Sequence, residues 1–358
     1  MNEIEELSGL SFRISIIGFG AVGQGLAKVL LSKRETLQRM GIDIRVVAIA
    51  DSVSLLKGSE GIDLEKALQA KEMSGRVGDE IDTGDGAREV LESVEHDLMV
   101  EATPTDIRSG EPALTHILRA LASGKHVVTS NKGPFIHNHA TLIETARKND
   151  LMLRYEATVG GAMPIINLIQ ENLAGNTIER IEGVLNGTCN YILTRMADER
   201  LDYQHALLEA QELGIAEADP SYDVMGIDSA SKLVILANTA YENDATFDDV
   251  KITGITEITP EALELAEKNG YTIRLIGEAT RDRLVVAPKL VSKRHPLAIR
   301  GTLNIATIHT DLSKTITVSG AGAGSIETAS AILSDIIHIY KRHEIKKGRR
   351  NSDIILSS

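Results

Sequence analysis

Hydrophobic residues in the first 150 positions alternate between short β-branched runs and longer stretches with helical spacing. The short runs predict strands at residues 12–18, 44–50, 97–103 and 126–130. The longer stretches predict helices at residues 21–39, 111–123 and 136–148. Strands and helices that alternate in this way form βα units, so this part of the chain predicts a parallel sheet covered by helices.

The pattern changes after residue 150. Strands are predicted at residues 151–158, 181–185, 271–279, 284–290, 302–309 and 314–319. Helices are predicted at residues 190–196, 203–213, 228–241, 260–268 and 325–342. The later strands indicate an antiparallel or mixed sheet that belongs to a second domain.

The first predicted strand runs directly into a glycine-rich turn, Gly18-Phe19-Gly20-Ala21-Val22-Gly23. Between a strand and a helix, such glycines allow a tight turn, a close approach of the backbone to a pyrophosphate, and close helix packing. The helix N-terminus offers free N–H groups to the phosphates. The turn therefore predicts dinucleotide binding, and a purely structural glycine turn is the alternative.

The second strand ends in Asp51, and Lys57 follows six residues later. An acidic residue at this place accepts hydrogen bonds from the adenosine ribose, which favours NAD over NADP. Lys57 is close enough in sequence to fold back onto the 2'-phosphate of NADP. We therefore expect the chain to use both cofactors.

The next two strands end in polar loops, Thr103-Pro104-Thr105 and Ser130-Asn131-Lys132-Gly133-Pro134. In an open parallel sheet, the loops at the carboxyl ends of the strands hold the ligand. Thr103 and Lys132 are therefore predicted to face the cofactor or the substrate. A surface lysine in a turn remains the alternative for Lys132.

Asp228 and Lys232 lie four residues apart on the predicted helix 228–241. An exposed ion pair is the ordinary interpretation of such spacing. However, apolar residues surround the axis of this helix, which predicts a helix buried on nearly all sides. A lysine there needs a cleft or a partner charge, and a desolvated lysine is a candidate acid or base.

The loop before this helix supplies Glu217, Asp219 and Asp223. Four acids near one lysine predict a site for a small molecule with an ammonium and a hydroxyl group.

A separate loop, Val159-Gly160-Gly161-Ala162-Met163-Pro164, follows Glu156. Adjacent glycines let carbonyls converge with Glu156 around a hard cation, although a plain turn is the alternative.

Composition excludes several classes of protein. A net charge of −13 argues against a nucleic-acid or anionic-membrane partner, because phosphate binding needs clustered Lys and Arg. The single cysteine, Cys189, forms no internal disulfide, and the scattered histidines indicate no transition-metal site. The chain has neither a secretory segment nor a run of 18 apolar residues, so we expect a cytoplasmic protein.

A second glycine-rich turn, Gly320-Ala321-Gly322-Ala323-Gly324, precedes the last helix. Its position predicts that the chain returns to the cofactor site. The expected architecture is α/β, with a Rossmann-type dinucleotide-binding domain formed by residues 12–150 and 318–343. Residues 151–317 would form an inserted α+β domain for substrate binding, catalysis and dimerisation.

Six ordered motifs give the chain a family resemblance: GFGAVG, VVTSNKGP, YEATVGGAMPII, EGVLNGTCNYILTRM, AEADPSYDVMGIDSASKL and GAGAGSIETASAILSD. Together they resemble homoserine dehydrogenase from Phe12 to about Arg342. The resemblance implies NAD(P)-dependent interconversion of L-homoserine and L-aspartate 4-semialdehyde, on the route to threonine, isoleucine and methionine. It also implies, with the extra sheet, a homodimer.

The resemblance assigns roles to residues of this chain. It implies that Lys232 transfers a proton at the reacting oxygen, that Asp228 orients the substrate, and that Glu217 holds the amino group. Lys132 would lie beside the nicotinamide and substrate, with Gly187 and Gly324 on the cofactor side. The monovalent-cation site (sodium or potassium) would consist of Glu156 with the carbonyls of Val159, Gly161 and Met163.

The chain departs from the family pattern at Ala321, where proline is common, and at Cys189, where a second threonine is frequent. It carries neither a kinase fusion nor a C-terminal regulatory extension, so feedback control through such a module is not expected.

Two alternative functions remain open at this point. One is another amino-acid or semialdehyde dehydrogenase, and the other is a non-catalytic nicotinamide-nucleotide sensor.

Overall fold

The computed structural model describes residues 11–78, 80–81 and 86–357. Its strands are β1 (Phe12–Ile17), β2 (Ile44–Ala50), β3 (Ser54–Lys57), β4 (Glu80–Ile81), β5 (Leu98–Glu101), β6 (His126–Thr129), β7 (Leu153–Arg154), β8 (Ile178–Val184), β9 (Val250–Ile252), β10 (Tyr271–Thr280), β11 (Arg283–Ser292), β12 (Leu303–Thr310) and β13 (Lys314–Ala321). Its helices are α1 (Ala21–Ser32), α2 (Arg34–Arg39), α3 (Leu64–Ser74), α4 (Gly86–Ser93), α5 (Ala113–Ala122), α6 (Gly133–Lys148), α7 (Gly187–Glu199), α8 (Tyr203–Glu212), α9 (Ser221–Val224), α10 (Ile227–Tyr241), α11 (Pro260–Lys268) and α12 (Ser325–Ser357). Over these residues, no helix combines the length and the apolar character needed to cross a membrane.

The first sheet has the strand order β4-β3-β2-β1-β5-β6-β7. Strands β2, β1, β5, β6 and β7 run parallel, whereas β3 and β4 form an antiparallel extension at one edge. The strand order reverses between β1 and β5, and ligands bind at such a switch point in open α/β sheets. The predicted Rossmann-type architecture is therefore confirmed.

The second sheet has the order β13-β12-β8-β10-β11-β9, and only the β11–β9 pair is parallel. This pattern matches the mixed sheet predicted for a second domain. One face packs against α7, α10 and α11 in the core that contains Leu275, Leu284 and Ile308. The α+β character of the second domain is confirmed, and its helices support the loop that precedes α10.

Helix α12 packs against α1 rather than against the second sheet. Ile332, Ile336 and Ile339 of α12 share a hydrophobic cluster with Phe12 and Leu26 from the first sheet and its covering helix. The contact is close, because a Cβ added at Gly25 would lie 2.5 Å from the Ser325 carbonyl oxygen. The last helix thus returns to the first sheet, while β13 just before it belongs to the second.

Residues 151–158 differ from the predicted strand. Only Leu153–Arg154 forms β7, and Glu156–Thr158 forms a 3₁₀ turn. The strand is short because the peptide N–H of Glu156 donates to the carboxylate of Asp335 on α12, and because Glu156 itself binds the following loop. The sequence pattern also missed β3, β4, β9, α3, α4 and α9, which are short or surface elements.

Candidate functional site

A single cleft of about 1480 Å³ brings the predicted site residues together. Most of them line this cleft: Gly18, Phe19, Gly20, Ala21, Val22, Asp51, Thr103, Lys132, Gly161, Gly187, Glu217, Asp223, Asp228, Lys232 and Gly324. The cleft lies where β1 and β5 diverge and extends to the N-terminal turn of α10. Lys57, Glu156, Val159 and Met163 are not among its lining residues.

The first glycine turn has the geometry that a dinucleotide site needs. Gly18 has φ +96, and a Cβ there would lie 2.4 Å from the Ala102 carbonyl. A Cβ on Gly23 would lie 2.2 Å from the Gly18 oxygen, which explains why α1 can start so close to β1. Gly20 faces open space at the N-terminus of α1, where the backbone N–H groups are available to phosphates. The residues present therefore fit the pyrophosphate of a nicotinamide dinucleotide.

Asp51 follows β2, and both of its carboxylate oxygens are bound. Oδ1 accepts from the N–H groups of Val53 and Ser54 and from the Ser54 hydroxyl, and Oδ2 accepts from Lys71 Nζ at 2.7 Å. Burial opposes ionisation, but the hydrogen bond from Lys71 and those from Val53 and Ser54 hold the pKa of Asp51 below its ordinary value. Asp51 is therefore an oriented carboxylate at the end of the cleft beside β2.

Lys71 lines the cleft beside Asp51, and sequence reasoning missed it. Its ammonium also donates to the Gly75 carbonyl at the end of α3. Lys57, the residue predicted from the sequence to bind the 2'-phosphate of NADP, lies on β3 and forms a 2.6 Å ion pair with Glu89. No local motif marks Lys71, because α3 is amphipathic only weakly and its packing against α1 decides where the side chain points.

Asp228 lies between two lysines at the other end of the cleft. Its Oδ1 accepts from Lys132 Nζ at 3.1 Å, and its Oδ2 lies 2.7 Å from Lys232 Nζ. Burial opposes ionisation of this carboxyl, yet the charges of Lys232 and Lys132 hold its pKa far below the ordinary range. The carboxylate is also favoured by its place in the first turn of α10. Asp228 therefore stays ionised.

Lys232 is buried on α10, as the apolar pattern of that helix predicts. Besides Asp228, its ammonium donates to the Leu185 carbonyl at 2.7 Å. That carbonyl also accepts from the amide of Asn304 on β12. Two fixed acceptors hold the ammonium, and its third hydrogen is available to the cleft that Lys232 lines.

Asn186 connects the acids, a role that sequence reasoning missed. Its amide donates to Asp223 Oδ1 at 2.6 Å and to Asp228 Oδ2 at 3.0 Å, while its oxygen caps α7 through Cys189 N–H. Burial and the charge of Asp228 raise the pKa of Asp223. Gly226, with φ +84, makes the turn from α9 to α10 that brings Asp223 and Asp228 together.

Of the four acids predicted to meet Lys232, Asp228 contacts it directly, whereas Glu217 and Asp223 line the same cleft. Glu217 is exposed at the cleft mouth. Asp219 does not join them, because its carboxylate accepts from the Ser221 N–H at the start of α9. Cys189 is buried and donates to the Asp223 carbonyl, and burial raises the pKa of its thiol. The expectation of four converging acids is thus reduced to three.

Thr103 and the nearby glycines shape the middle of the cleft. The Thr103 side chain donates to Glu101 at the end of β5. A Cβ on Gly187 would lie 2.5 Å from the Thr302 carbonyl, and a Cβ on Gly161 would lie 2.7 Å from the Ala321 carbonyl. Gly324 has φ +127 at the N-terminus of α12. These glycines are needed because backbone segments from distant parts of the chain approach one another here.

Glu156 is buried at the junction between β7 and the loop that follows. Its carboxylate accepts from the N–H groups of Ile165, Ile166 and Asn167. Burial raises its pKa to about 7, the Asn167 N–H opposes the rise, and Asp335 adds to it. Among the described residues, no group of three or more His, Cys, Asp or Glu is placed to hold a metal ion.

Comparisons with known proteins give one family over both parts of the chain. The family model described as homoserine dehydrogenase, NAD binding domain, matches residues 18–156, and the model described as homoserine dehydrogenase matches residues 164–337. The chain is 52% identical over 329 residues to the homoserine dehydrogenase of Methanocaldococcus jannaschii, which covers 91% of this chain and 98% of that protein.

Two further relatives bear on the cofactor. The chain is 37% identical over 342 residues to the NAD(+)-dependent homoserine dehydrogenase of Pseudomonas canavaninivorans, with 92% and 96% of the two chains covered. A hyperthermophilic archaeal homoserine dehydrogenase in complex with NADPH has a similar structure, with 31% identity and a TM-score of 0.80. That similarity covers 93% of this chain and 98% of that one.

Proposed function

The chain belongs to the homoserine dehydrogenase family, and from this premise we propose how its cleft carries out the reaction. The protein is an NAD(P)-dependent oxidoreductase that interconverts L-homoserine and L-aspartate 4-semialdehyde. The observation that carries the assignment of roles is the placement of Lys232, whose ammonium is held by Asp228 and Leu185 inside the cleft that contains the glycine turn. The roles of individual residues follow from that geometry.

Lys232 is the proton-transfer group. The bound nicotinamide supplies the hydride acceptor or donor, and the oxygen of the substrate must lose or gain a proton in the same reaction. In its neutral form, Lys232 donates its two hydrogens to Asp228 and Leu185 and accepts the hydroxyl proton on its lone pair during oxidation of homoserine. The resulting ammonium returns that proton to the substrate oxygen during reduction of the aldehyde. Asp228 and the Leu185 carbonyl fix the nitrogen, so its remaining position is directed at the substrate oxygen.

The charged groups around Lys232 bind the two ends of the amino acid. Glu217 at the cleft mouth holds the substrate ammonium, and Asp223 adds negative charge beside it. Lys132 has an ammonium held by Asp228 and binds the substrate carboxylate. Burial opposes its charged form, but Asp228 raises the pKa of Lys132, so the lysine stays cationic.

The test is steady-state NADPH oxidation with L-aspartate 4-semialdehyde against a panel of other aldehydes. We expect turnover of the semialdehyde and at least 100-fold lower kcat/KM for aldehydes that lack the amino-acid group. Equal activity on simple aldehydes would contradict the proposed binding roles of Glu217 and Lys132. Cofactor binding without turnover of any aldehyde would indicate a nicotinamide-nucleotide sensor.

The cofactor site accepts both NAD and NADP in this proposal. Asp51 supports ribose hydroxyl binding, as in NAD, and Lys71 supports a 2'-phosphate. Gly18, Phe19, Gly20, Ala21, Val22 and Gly23 hold the pyrophosphate, and Thr103, Lys132, Gly187 and Gly324 lie toward the nicotinamide. The protein would act in the cytoplasm, where the nicotinamide dinucleotides and the amino-acid pathway to threonine, methionine and isoleucine are found.

A monovalent cation, sodium or potassium, is proposed at Glu156 with the carbonyls of Val159, Gly161 and Met163. Burial raises the pKa of Glu156 because it disfavours the charged carboxylate. A cation bound beside the carboxylate would stabilise that charged form, which supports the assignment. Three N–H groups already bind the carboxylate, so the cation would use the remaining lone pair of Oε2. Its function would be to fix the loop that approaches Ala321.

We propose that residues 12–150 and 318–343 form one discontinuous domain and that residues 151–317 form the other. Packing of α12 on α1 supports the return of the chain, and the pairing of β13 with β12 favours a start of the returning segment near residue 321 over a start at residue 318. A homodimer through the open face of the second sheet is also proposed. Val285, Ala287 and Lys289 lie on that face, opposite the one covered by helices.

A further inference from the structure

Tyr222 lies on α9, beside Asp223, and its ring lines the cleft. The centroid of the ring lies 5.9 Å from the Lys132 ammonium. We propose that Tyr222 is a positioning residue that holds Lys132 at the subsite for the substrate carboxylate, and so helps to select amino-acid substrates. This inference rests on the proposed role of Lys132 in carboxylate binding.

Lys132 needs a second support because its side chain is long. It begins at the N-terminus of α6 and reaches Asp228 on α10, 96 residues away in sequence. Asp228 Oδ1 is its hydrogen-bond acceptor, and a four-carbon stem leaves the ammonium free to rotate about that contact. An aromatic face restrains a cation without taking up its N–H groups. The ring therefore fixes the ammonium and leaves its hydrogens available to the substrate.

A second carboxylate in the place of Tyr222 would also restrain Lys132, but it would add to the negative charge that Asp228 already places beside the ammonium. The substrate carboxylate would then meet a group of reduced charge. An aromatic ring avoids this competition because its attraction for the cation comes from its quadrupole rather than from a net charge. The chemistry of the side chain thus agrees with a role in presenting a cation to an anionic substrate group.

The ring itself is held by the helix that carries Asp228 and Lys232. The Tyr222 hydroxyl donates to Ser231 Oγ at 3.3 Å, and Ser231 donates in turn to the Ile227 carbonyl at 2.9 Å. Burial raises the pKa of Tyr222, although the charge of Lys132 opposes the rise, so the phenol remains neutral. Its hydroxyl is directed at Ser231, which leaves the ring face as the surface presented to Lys132.

The experiment compares two substrates in the Tyr222→Leu variant. L-homoserine carries the carboxylate, and 3-amino-1-propanol is the same molecule without it. We expect the KM for homoserine to rise about 5–20-fold with kcat changed less than about twofold, the range of a cation–π contact. For 3-amino-1-propanol, kcat/KM should be unchanged, or its inhibition constant should be unchanged if turnover is too slow. Tyr222→Phe, which keeps the ring, should restore most of the KM.

Tyr271→Leu is the matched control, because Tyr271 is an exposed tyrosine at the start of β10 outside the cleft. If Tyr222→Leu lowers the melting temperature, Tyr222→Met provides the same comparison with more of the side-chain length retained. In the Lys132→Met background, Tyr222→Leu should add little, because the partner of the ring is already absent.

The outcomes separate the two proposals. If Lys132→Met raises the KM for homoserine and Tyr222→Leu does not, the positioning role of Tyr222 is wrong and the role of Lys132 stands. If Tyr222→Leu lowers kcat/KM equally for both substrates, Tyr222 has only a structural role. If Lys132→Met affects both substrates alike, the carboxylate role of Lys132 fails, and the role of Tyr222 fails with it.

Discussion

At the scale of single residues, one carboxylate organises the reactive end of the cleft. Asp228 binds Lys132 through one oxygen and Lys232 through the other, and Asn186 joins it to Asp223. The two lysines are therefore held on opposite oxygens, and they can serve different parts of one substrate. This separation is why the proton-transfer role and the carboxylate-binding role are assigned to different residues.

Replacement of Lys232 by methionine tests the proton-transfer role. Methionine keeps the length of the side chain and removes the charge, so we expect kcat to fall about 10²–10⁴-fold with nicotinamide binding nearly unchanged. Stopped-flow or steady-state turnover, with a separate titration of the cofactor, gives both numbers. Near-normal turnover would mean that Lys232 and Asp228 form only a structural ion pair. Lys132 would then be the candidate acid or base.

Two neighbouring variants provide the contrast for that experiment. Glu217→Gln should raise the KM for homoserine more than it lowers kcat, because an ammonium contact exists in both the ground state and the transition state. Asp228→Asn should lower kcat and raise KM together, since Asp228 holds both lysines. A Glu217→Gln variant with lower kcat and an unchanged KM would contradict the assignment of Glu217 to the substrate ammonium.

Cofactor choice depends on the charge at the adenosine end of the cleft. Lys71→Met should lower kcat/KM for NADP about 10-fold relative to NAD, because a charge-assisted contact to the 2'-phosphate would be lost. Asp51→Ala should shift the ratio toward NADP, because a carboxylate repels that phosphate. Kinetics with each nicotinamide measure both ratios.

Lys66→Met is the control for Lys71→Met, because Lys66 lies on the same helix and pairs with Asp63 on the surface. Lys57→Met tests the prediction made from the sequence. A loss of NADP use in Lys57→Met, with none in Lys71→Met, would place recognition of the 2'-phosphate on β3.

The buried carboxyl of Glu156 predicts a dependence of stability on pH. Its pKa is about 7 in the folded protein and near the ordinary value of 4.5 in the unfolded chain. Between these values the folded state binds more protons, so the free energy of unfolding should fall as pH rises, by up to about 3 kcal/mol. Glu156→Gln should remove this slope, as measured by denaturant unfolding from pH 4.5 to 8.

The same measurement tests the cation. A bound sodium or potassium ion favours the charged carboxylate, so it should raise the melting temperature at pH 8 and have little effect at pH 5. Tetramethylammonium chloride at equal ionic strength is the control for salt. Equal melting temperatures in sodium, potassium and tetramethylammonium at pH 8 would remove the proposed site.

At the scale of elements, the return of α12 onto α1 decides how the second glycine turn reaches the cleft. The contact is made through a glycine, because the Ser325 carbonyl occupies the space where a Cβ of Gly25 would lie. Hydrophobic residues of α12 continue this contact along β1. The position of Gly324 at the cleft therefore depends on packing between two helices separated by most of the chain.

Gly25→Ala tests the importance of that contact. Alanine favours a helix, yet its Cβ would lie 2.5 Å from a backbone oxygen, so α1 and α12 must move apart. We expect a loss of about 1–3 kcal/mol in the free energy of unfolding and weaker cofactor binding. Calorimetry and a cofactor titration measure the two effects. Gly175→Ala, where a Cβ meets nothing within 4 Å, is the control.

At the scale of the whole molecule, the second sheet has one face covered by helices and one face covered only in part, where Leu297, Ala298 and Ile299 pack on Ile276. Ile276 on β10 is directly opposite Ala287 on β11, and Glu278 is opposite Val285. These residues mix apolar and charged side chains, a composition that suits an interface with a second copy of the chain. The proposed homodimer would join the open faces and leave the clefts accessible.

Ala287→Arg tests this arrangement by placing a long charged side chain on the open face. Mass photometry of the unaltered protein should give twice the mass of the chain, and the variant should give the monomer mass. Leu208→Arg on α8, at an exposed position away from the sheet, is the control. A monomer in the unaltered protein would exclude the homodimer.

The local signals in the sequence identified many of the residues that line the cleft. The glycine turn after β1, the acid at the end of β2, and the Asp228–Lys232 pair on a helix without a polar face are each contained within about 20 residues. The alternation of strands and helices along the chain predicted the parallel strands of the first sheet. The helix predicted at residues 260–268 is also present, and Thr259 caps it by accepting from the Ala262 N–H.

Other features depend on residues that are distant in the chain. The Lys132–Asp228 contact spans 96 residues, and the pairing of Lys71 with Asp51 depends on how α3 packs against α1. The sequence predicts Lys57 as the partner of the 2'-phosphate, because Lys57 lies nearer than Lys71 to Asp51 in the chain. Asp219 has the same chemistry as its acidic neighbours, yet its carboxylate accepts from the Ser221 N–H instead of joining them.

The sequence by itself determined the family, the parallel strands of the first sheet and the helix that carries Lys232. Those features depend on backbone propensity and on spacing within single elements, and both can be recognised in a linear pattern. Only the tertiary structure decided that Asn186 joins two acids, that Tyr222 faces Lys132, and that Glu156 is enclosed by backbone N–H groups. The physical reason is that burial and hydrogen bonding of a side chain are set by the elements packed around it, and those elements come from distant parts of the chain.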